Sequence, residues 1–225
     1  MTEYHKIQSM FKRDMTDRGR MLIGEWTCPE FEYLAENEWA FTEKVDGTNL
    51  RVMFDGERIA YGGKTDNAQL PVDLLNTLHA HFDPLLPAFA EQFSYEGETR
   101  VCFYGEGYGA GIQKGGCYRP DKAFVLFDIK IGDSWLLREN VEGIATQFGM
   151  EIVPVVGQGP IALAVEMARS GFKSHWGDFI AEGLVLRPAT ELFDRRGHRI
   201  ITKIKHGDFR DTHTAGNKAQ RPADN

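Results

Sequence analysis

Lys44-Val45-Asp46-Gly47 places an amine, a carboxylate and a glycine turn directly after the run Phe41-Thr42-Glu43. The Asn49 amide and the Arg51 guanidinium lie just beyond. A lysine at the end of a strand can act as a covalent nucleophile once its amine has lost its proton. That requirement is severe, because a free lysine has a pKa of about 10.4 and roughly one in a thousand or fewer is neutral at pH 7. Desolvation and neighbouring cations favour the neutral amine, whereas a carboxylate such as Asp46 opposes it unless its charge is engaged by a metal ion. Taken alone, Lys44 reads as a surface lysine with its stem along apolar neighbours.

Later segments change that balance. Glu106 follows a strand, Asp128 lies within the apolar run Phe124 to Ile129, and Glu182 immediately precedes Gly183-Leu184-Val185-Leu186-Arg187. Lys203 and Lys205 flank Ile204, and side chains alternate with period two, so both lysines share one face of a strand. Carboxylates in apolar runs and paired lysines are costly unless they meet each other, a metal or a phosphate. The set suits a metal–triphosphate site; separate structural ion pairs are the plainer alternative.

The elements that must carry these residues read as follows. Residues 1–37 form a short helical or irregular lead-in. Trp39–Val45 is a strand; Asn49–Phe54 and Arg58–Tyr61 make a hairpin about Asp55-Gly56. Residues 71–93 have helical spacing, with Pro84 and Pro87 splitting or kinking the helix. Thr99–Tyr104 is a strand followed by a glycine-rich irregular loop. Ala123–Ile131 is an apolar strand that turns at Ile131–Ser134 into Trp135–Leu137. Glu139–Phe148 and Ile161–Ser170 are helices, and Gly183–Arg187 and His198–Ile204 are the last strands. Hairpins with a few helices, rather than regular βαβ alternation, indicate an α+β fold with antiparallel sheets. Two glycine patterns are rejected as nucleotide cradles. Tyr61-Gly62-Gly63-Lys64-Thr65 has Arg58 where a P-loop needs glycine, and no helix follows Gly105-Glu106-Gly107 as a dinucleotide fold requires.

The 225 residues, 42% hydrophobic, support one large or two small domains. No apolar run approaches the about 18 residues that span a bilayer, and residues 1–6 lack a signal peptide's apolar region, so no membrane role and a cytoplasmic location are expected. Cys28, Cys102 and Cys117 fit reduced thiols better than a disulfide framework. A net charge of −7 argues against a protein that coats nucleic acid indiscriminately, while leaving room for local basic segments at Lys6–Arg20 and Lys203–Arg221.

In order along the chain, Lys44–Gly47, Tyr104-Gly105-Glu106, Phe127-Asp128-Ile129, Glu182–Leu186 and Lys203-Ile204-Lys205 resemble the five elements of the covalent nucleotidyltransferases, the ATP-dependent ligases and capping enzymes. The series is most similar to the RNA ligase 2 family, and Gly111–Lys114 and Asp208-Phe209-Arg210 look ligase-like as well. The resemblance implies a nucleotidyltransferase domain over residues 1–210, with antiparallel sheets flanking a nucleotide cleft and peripheral helices. It implies that Lys44 attacks the ATP α-phosphate, with Lys203 and Lys205 as the further catalytic residues on that phosphate. Glu43 would contact adenine, Phe127 stack on it, Glu106 bind ribose, and Lys64 and Arg187 reach phosphates. Asp46, Gly47, Asn49 and Arg51 count among the nucleotide-binding residues. Glu182, Asp128 and Asn49 would hold Mg²⁺ or Mn²⁺, mostly through water.

The implied substrates are RNA ends, a 5′-phosphate and a 3′-hydroxyl, in single strands or in nicked or DNA-splinted duplexes. The mostly polar residues after Lys205, with a flexible tail over 211–225, suggest neither an OB-fold nor a C-terminal helical domain. The N-terminal basic segment, a dimer or a protein partner are the alternatives for supplying any missing substrate surface. DNA-nick sealing and GTP-using capping are the enzymatic alternatives. A degenerate nucleic-acid-binding module is the non-enzymatic one.

Overall fold

Period-two alternation dominates the chain and produces more strand than the sequence suggests. The computed structural model describes residues 3–93 and 100–212. In order the elements are β1 (Gln8–Ser9), β2 (Phe11–Asp14), β3 (Arg20–Trp26), α1 (Pro29–Tyr33), β4 (Trp39–Glu43), β5 (Thr48–Phe54), β6 (Ile59–Gly62), α2 (Val72–Phe82), α3 (Leu86–Phe93), β7 (Val101–Gly109), β8 (Lys122–Ile131), β9 (Ser134–Trp135), α4 (Arg138–Gln147), β10 (Val155–Gly159), α5 (Ile161–Ser170), β11 (Gly183–Pro188) and β12 (Thr202–Lys205). They fall into two compact units. The first comprises Met1–Lys6, Val45–Pro154 and His175–Phe179; the second comprises Ile7–Lys44, Val155–Ser174 and Ile180–Asn225.

The first unit is an antiparallel sheet of order β6-β5-β7-β8-β9. Leu50, Val52 and Phe54 of β5, Val101 and Phe103 of β7, and Phe124, Leu126 and Ile129 of β8 line one face. They join Leu74, Leu78 and Phe82 of α2, Phe89 and Phe93 of α3, and Phe148 after α4 in one buried core. Phe89 stacks on Phe103 with centroids 5.0 Å apart and meets Phe148 edge-on at 4.8 Å, an offset-and-edge arrangement that aromatic quadrupoles favour. The prolines act as expected. α2 ends at Phe82, Asp83–Leu85 is a 3₁₀ turn, and Pro87 is the second residue of α3, where a missing N–H leaves no bond unmade.

The second unit is a sheet of order β1-β12-β11-β4-β10 with a separate β2–β3 ribbon. β1 runs parallel to β12 and the other pairs are antiparallel. Trp39 and Phe41 of β4, Leu184 and Leu186 of β11 and Ile204 of β12 pack with Ile161, Ala164 and Ala168 of α5. The same alternation continues past Phe41 to Glu43, which is why a carboxylate is only 1% exposed.

Four expectations are corrected. The lead-in holds β1, β2, β3 and α1; of its buried apolar residues, Met10 sits at the bend between β1 and β2, and Phe11 and Met21 lie in short, bulged strands that show no period. β10 went unseen because two of its five residues are glycine. The last strand begins at Thr202, since residues 198–201 make only an isolated bridge, Phe193 to Arg199. Most consequential is the glycine-rich stretch after Tyr104, which continues β7 to Gly109. Gly105 and Gly107 point to the core face: a Cβ at Gly105 would enter the Phe124 ring, and one at Gly107 would come within 2.7 Å of Leu50 and 2.9 Å of Leu74. Glycine here lets the core press against the strand. Thr99, the expected start of that strand, and residues 213–225 of the expected tail lie outside the described residues.

Gly105→Ala is expected to lower stability by about 1–3 kcal/mol through overpacking against Phe124. Gly143→Ala, in α4 with nothing within 4 Å of its added methyl, is expected to raise stability by about 0.5–1 kcal/mol. Thermal denaturation of the two variants checks the opposite signs.

Candidate active site

Lys44 sits one residue beyond β4, and its backbone N–H donates to the Gly183 carbonyl at 2.9 Å. Its Nζ lies 2.6 Å from Glu182 Oε2, and Lys205 Nζ lies 2.6 Å from Glu182 Oε1. One carboxylate therefore takes a lysine on each oxygen, leaving this trio with one net positive charge. β12 delivers Lys205 because Thr202 and Ile204 are buried while Lys203 and Lys205 emerge on the other face. Lys203 is opposite Val185 in the ladder, and Arg187 is the next residue of β11 on that same face. Asp208 fixes the end of β12: its Oδ2 accepts from the Lys205 N–H at 3.2 Å and its Oδ1 from Arg13 at 2.7 Å. Beside Lys44, Glu43 Oε1 accepts a 2.6 Å hydrogen bond from the buried Ser174 hydroxyl. The second unit thus gathers Glu43, Lys44, Glu182, Arg187, Lys203 and Lys205 on three neighbouring strands and their ends. A local excess of positive charge attracts anions.

The first unit carries the remaining predicted residues, with Asn49, Arg51, Glu106 and Asp128 on the sheet face opposite its core. Asn49 pairs with Glu106 across β5 and β7, and Arg51 with Tyr104. Glu106 lies within β7 rather than after a strand. Gly47 passes so close to β7 that an added Cβ would strike the Gly107 carbonyl and lie 2.7 Å from Glu106 Cγ. Glycine at this motif position is therefore a steric necessity. In β8, Tyr104 pairs with Asp128 but Gly105 pairs with Leu126, so Phe127 is the extra residue of a bulge. The bulge interrupts alternation and turns Phe127 and Asp128 to the same side. Tyr4 meets both: its hydroxyl donates to Asp128 Oδ2 at 2.7 Å, and its ring stands edge-on to Phe127 at 5.1 Å. Burial pushes the nearby Tyr104 phenol well above its ordinary pKa, with Cys102 adding to the shift.

Two predicted residues occupy different surroundings. Arg51 is fully buried, giving Nε to the Gly63 carbonyl at 2.8 Å and Nη2 to Asp66 at 2.9 Å, so it ties down the segment after β6. Lys64 is exposed in that segment and shares no contact with the other predicted residues that the structure records. Sequence reasoning missed Ser174, Tyr4 and Tyr118, whose hydroxyl accepts from the Asp46 N–H at 3.1 Å. None lies in a motif, and each is more than 70 residues from its partner.

The donors suit a hard divalent cation held through water. Asn49 Oδ1 is buried and without a hydrogen-bond partner, and an amide oxygen is a ligand type that hard cations accept. Among the described residues no group of three or more His, Cys, Asp or Glu side chains could hold a metal directly.

A family model for RNA ligase matches residues 37–205. The chain belongs to the RNA ligase family. The resemblance read from the five ordered elements is borne out. Naegleria gruberi RNA ligase with PPi is similar in structure, with TM-score 0.64 at 16% identity over 96% of this chain and 60% of that one. Two variants of the Naegleria ligase are similar too. One, with AMP and Mn, has TM-score 0.64 at 15% identity over 95% and 60% of the two chains. The other, with ATP and Mn, has TM-score 0.63 at 17% identity over 82% and 54%. These likenesses bear out the α+β fold of an RNA ligase. The chain spans about 60% of the length of the Naegleria enzyme.

Tyr4→Phe is expected to lower stability by about 1.5–3 kcal/mol, because it removes a buried hydrogen bond to a carboxylate while keeping the ring. Denaturant midpoints of the two proteins check this.

Proposed function

We propose that this RNA ligase family member is an ATP-dependent RNA ligase whose Lys44 carries AMP. The observation that supports this most is the Lys44–Glu182–Lys205 trio at the end of β4, an amine held beside a second lysine with net positive charge. Lys44 Nζ would attack the α-phosphorus of ATP, forming a P–N bond as the bond to the pyrophosphate oxygen breaks. The proton now shared with Glu182 must leave for attack to occur. Phosphoryl-type transfer is largely positioning and charge neutralisation. Lys203 and Lys205 supply charge at the α-phosphate, and Arg187 on the same face supplies it further along the triphosphate. Glu43, set rigidly by Ser174, is the proposed adenine contact.

In the first unit, Phe127 is the proposed stacking ring and Glu106 the ribose ligand, with Asp46, Gly47, Asn49 and Arg51 building the turn and strand behind them. Glu182 of the second unit, and Asn49 and Asp128 of the first, are the residues proposed as ligands of Mg²⁺ or Mn²⁺, mostly through water. Such an ion supplies Lewis-acid charge neutralisation on the phosphates. ATP with Mn and AMP with Mn in the Naegleria ligase structures fit this assignment. AMP would pass from Lys44 to an RNA 5′-phosphate, and a 3′-hydroxyl would then displace it, joining the ends. The domain that does this is proposed to be residues 1–210.

Incubation with ATP and Mg²⁺ or Mn²⁺ is expected to add the mass of one AMP to the protein, with the adduct on Lys44 by peptide mapping. Lys44→Ala is expected to reduce it below detection. Labelling that persists in Lys44→Ala, or that forms with GTP in preference to ATP, overturns the reading.

A further inference from the structure

Two residues past Lys44, the chain is held by a side chain that no motif contains. The Asp46 N–H donates to Tyr118 Oη at 3.1 Å. Tyr118 is 72 positions away in sequence and 8% exposed. Three rings fix its plane: Phe179 edge-on at 4.9 Å, Tyr108 at 5.7 Å and Trp176 at 5.7 Å. Two of those rings are anchored by one carboxylate. Glu151 accepts from the Tyr108 hydroxyl at 2.5 Å and from the Trp176 indole N–H at 2.6 Å. The Arg119 guanidinium lies over the other side of Tyr108, 5.9 Å from its centroid. Val45, 3% exposed, inserts into the same cluster beside Tyr108, Tyr118 and Val153. The residue next to Lys44 is thus held by its side chain and the following one by its amide.

This is more apparatus than a turn needs. An Asp46 N–H beside solvent would find water at little cost, whereas a hydroxyl locked by three aromatic rings sets the amide in one place. Attack on phosphorus needs reacting atoms about 3–3.5 Å apart and aligned, and misplacement of about 1 Å can cost about a hundredfold. Rigid support behind a reacting group is how such tolerances are met.

We infer that Tyr118 is a positioning residue for the Lys44–Gly47 turn, acting through its hydrogen bond to the Asp46 amide, with Trp176, Tyr108 and Glu151 as its clamp. The inference rests on the reading of Lys44 as the AMP carrier. In this role Tyr118 acts on the backbone through the Asp46 amide. It sets the backbone that presents the amine, so its loss slows adenylylation without weakening ATP binding.

The test is single-turnover adenylylation of the whole protein against ATP concentration, with Tyr118→Phe beside wild type, and amide hydrogen exchange at Asp46 in both. Tyr118→Phe keeps the ring and removes the hydroxyl that accepts from the Asp46 N–H. The expected result is a maximal rate about 3- to 10-fold lower, the yield of one net hydrogen bond. The ATP concentration at half-maximal rate should stay within about twofold, and faster exchange should be confined to the Asp46 turn. A maximal rate equal to wild type overturns the inference, as does a loss of exchange protection spread through the first unit's sheet, which marks a merely structural role. If Tyr118→Phe does not fold, the wild-type Asp46 amide still decides: exchange as fast as an unstructured amide overturns the inference. A wild type that takes up no AMP defeats the underlying reading of Lys44. A wild type that labels beside an equally fast Tyr118→Phe defeats this inference alone.

Discussion

A single carboxylate with two lysines on it is the constraint around which the second unit is arranged. Glu182 can serve Lys44 and Lys205 together only if β4, β11 and β12 lie side by side, since Lys44 follows β4, Glu182 precedes β11 and Lys205 ends β12. The ladder supplies that adjacency, and the core beneath it, from Trp39 and Phe41 through Leu184 to Ile204, fixes which faces the side chains take. Ion pairs that are partly withdrawn from water add little net stability. The trio is therefore a weak fastening for the sheet.

In the first unit the division of labour is by sheet face. Apolar residues on alternate positions of β5, β7 and β8 hold the helices, and the intervening positions hold Asn49, Arg51, Glu106 and Asp128. Glycines on the core side of β7 bring Phe124, Leu50 and Leu74 tight against the strand. The strand carrying Glu106 is thereby held from behind by an aromatic cluster of Phe82, Phe89, Phe103 and Phe148.

The sequence was legible where one local rule decided the outcome. Pro84 and Pro87 gave the break between α2 and α3, the Ile161–Ser170 spacing gave α5, and Lys-Ile-Lys gave two lysines on one face. It was illegible where a distant neighbour decided. Gly105, Gly107 and Gly109 read as a loop by composition, and only the core residues packed on them make a strand. The bulge that turns Phe127 and Asp128 the same way depends on pairing with β7, so simple alternation sends them to opposite faces. Ser174, Tyr4 and Tyr118 belong to no pattern because each places a hydroxyl on a partner far away in the sequence. The motif residues themselves were readable; the residues that hold them in place were not.

The chain passes between its two units five times, at Lys6, Lys44, Pro154, Ser174 and Phe179. During synthesis from the N-terminus, β1 through β4 emerge long before β11 and β12, which complete their sheet. The first unit must wait for Trp176 and Phe179 to close its aromatic cluster. Neither unit can therefore mature on the ribosome as an independent early product, although domains usually do so in N-to-C order. The high sequence separation of these pairings also makes folding slow for a chain of this length. No single cut of the chain yields two fragments that each contain a whole unit.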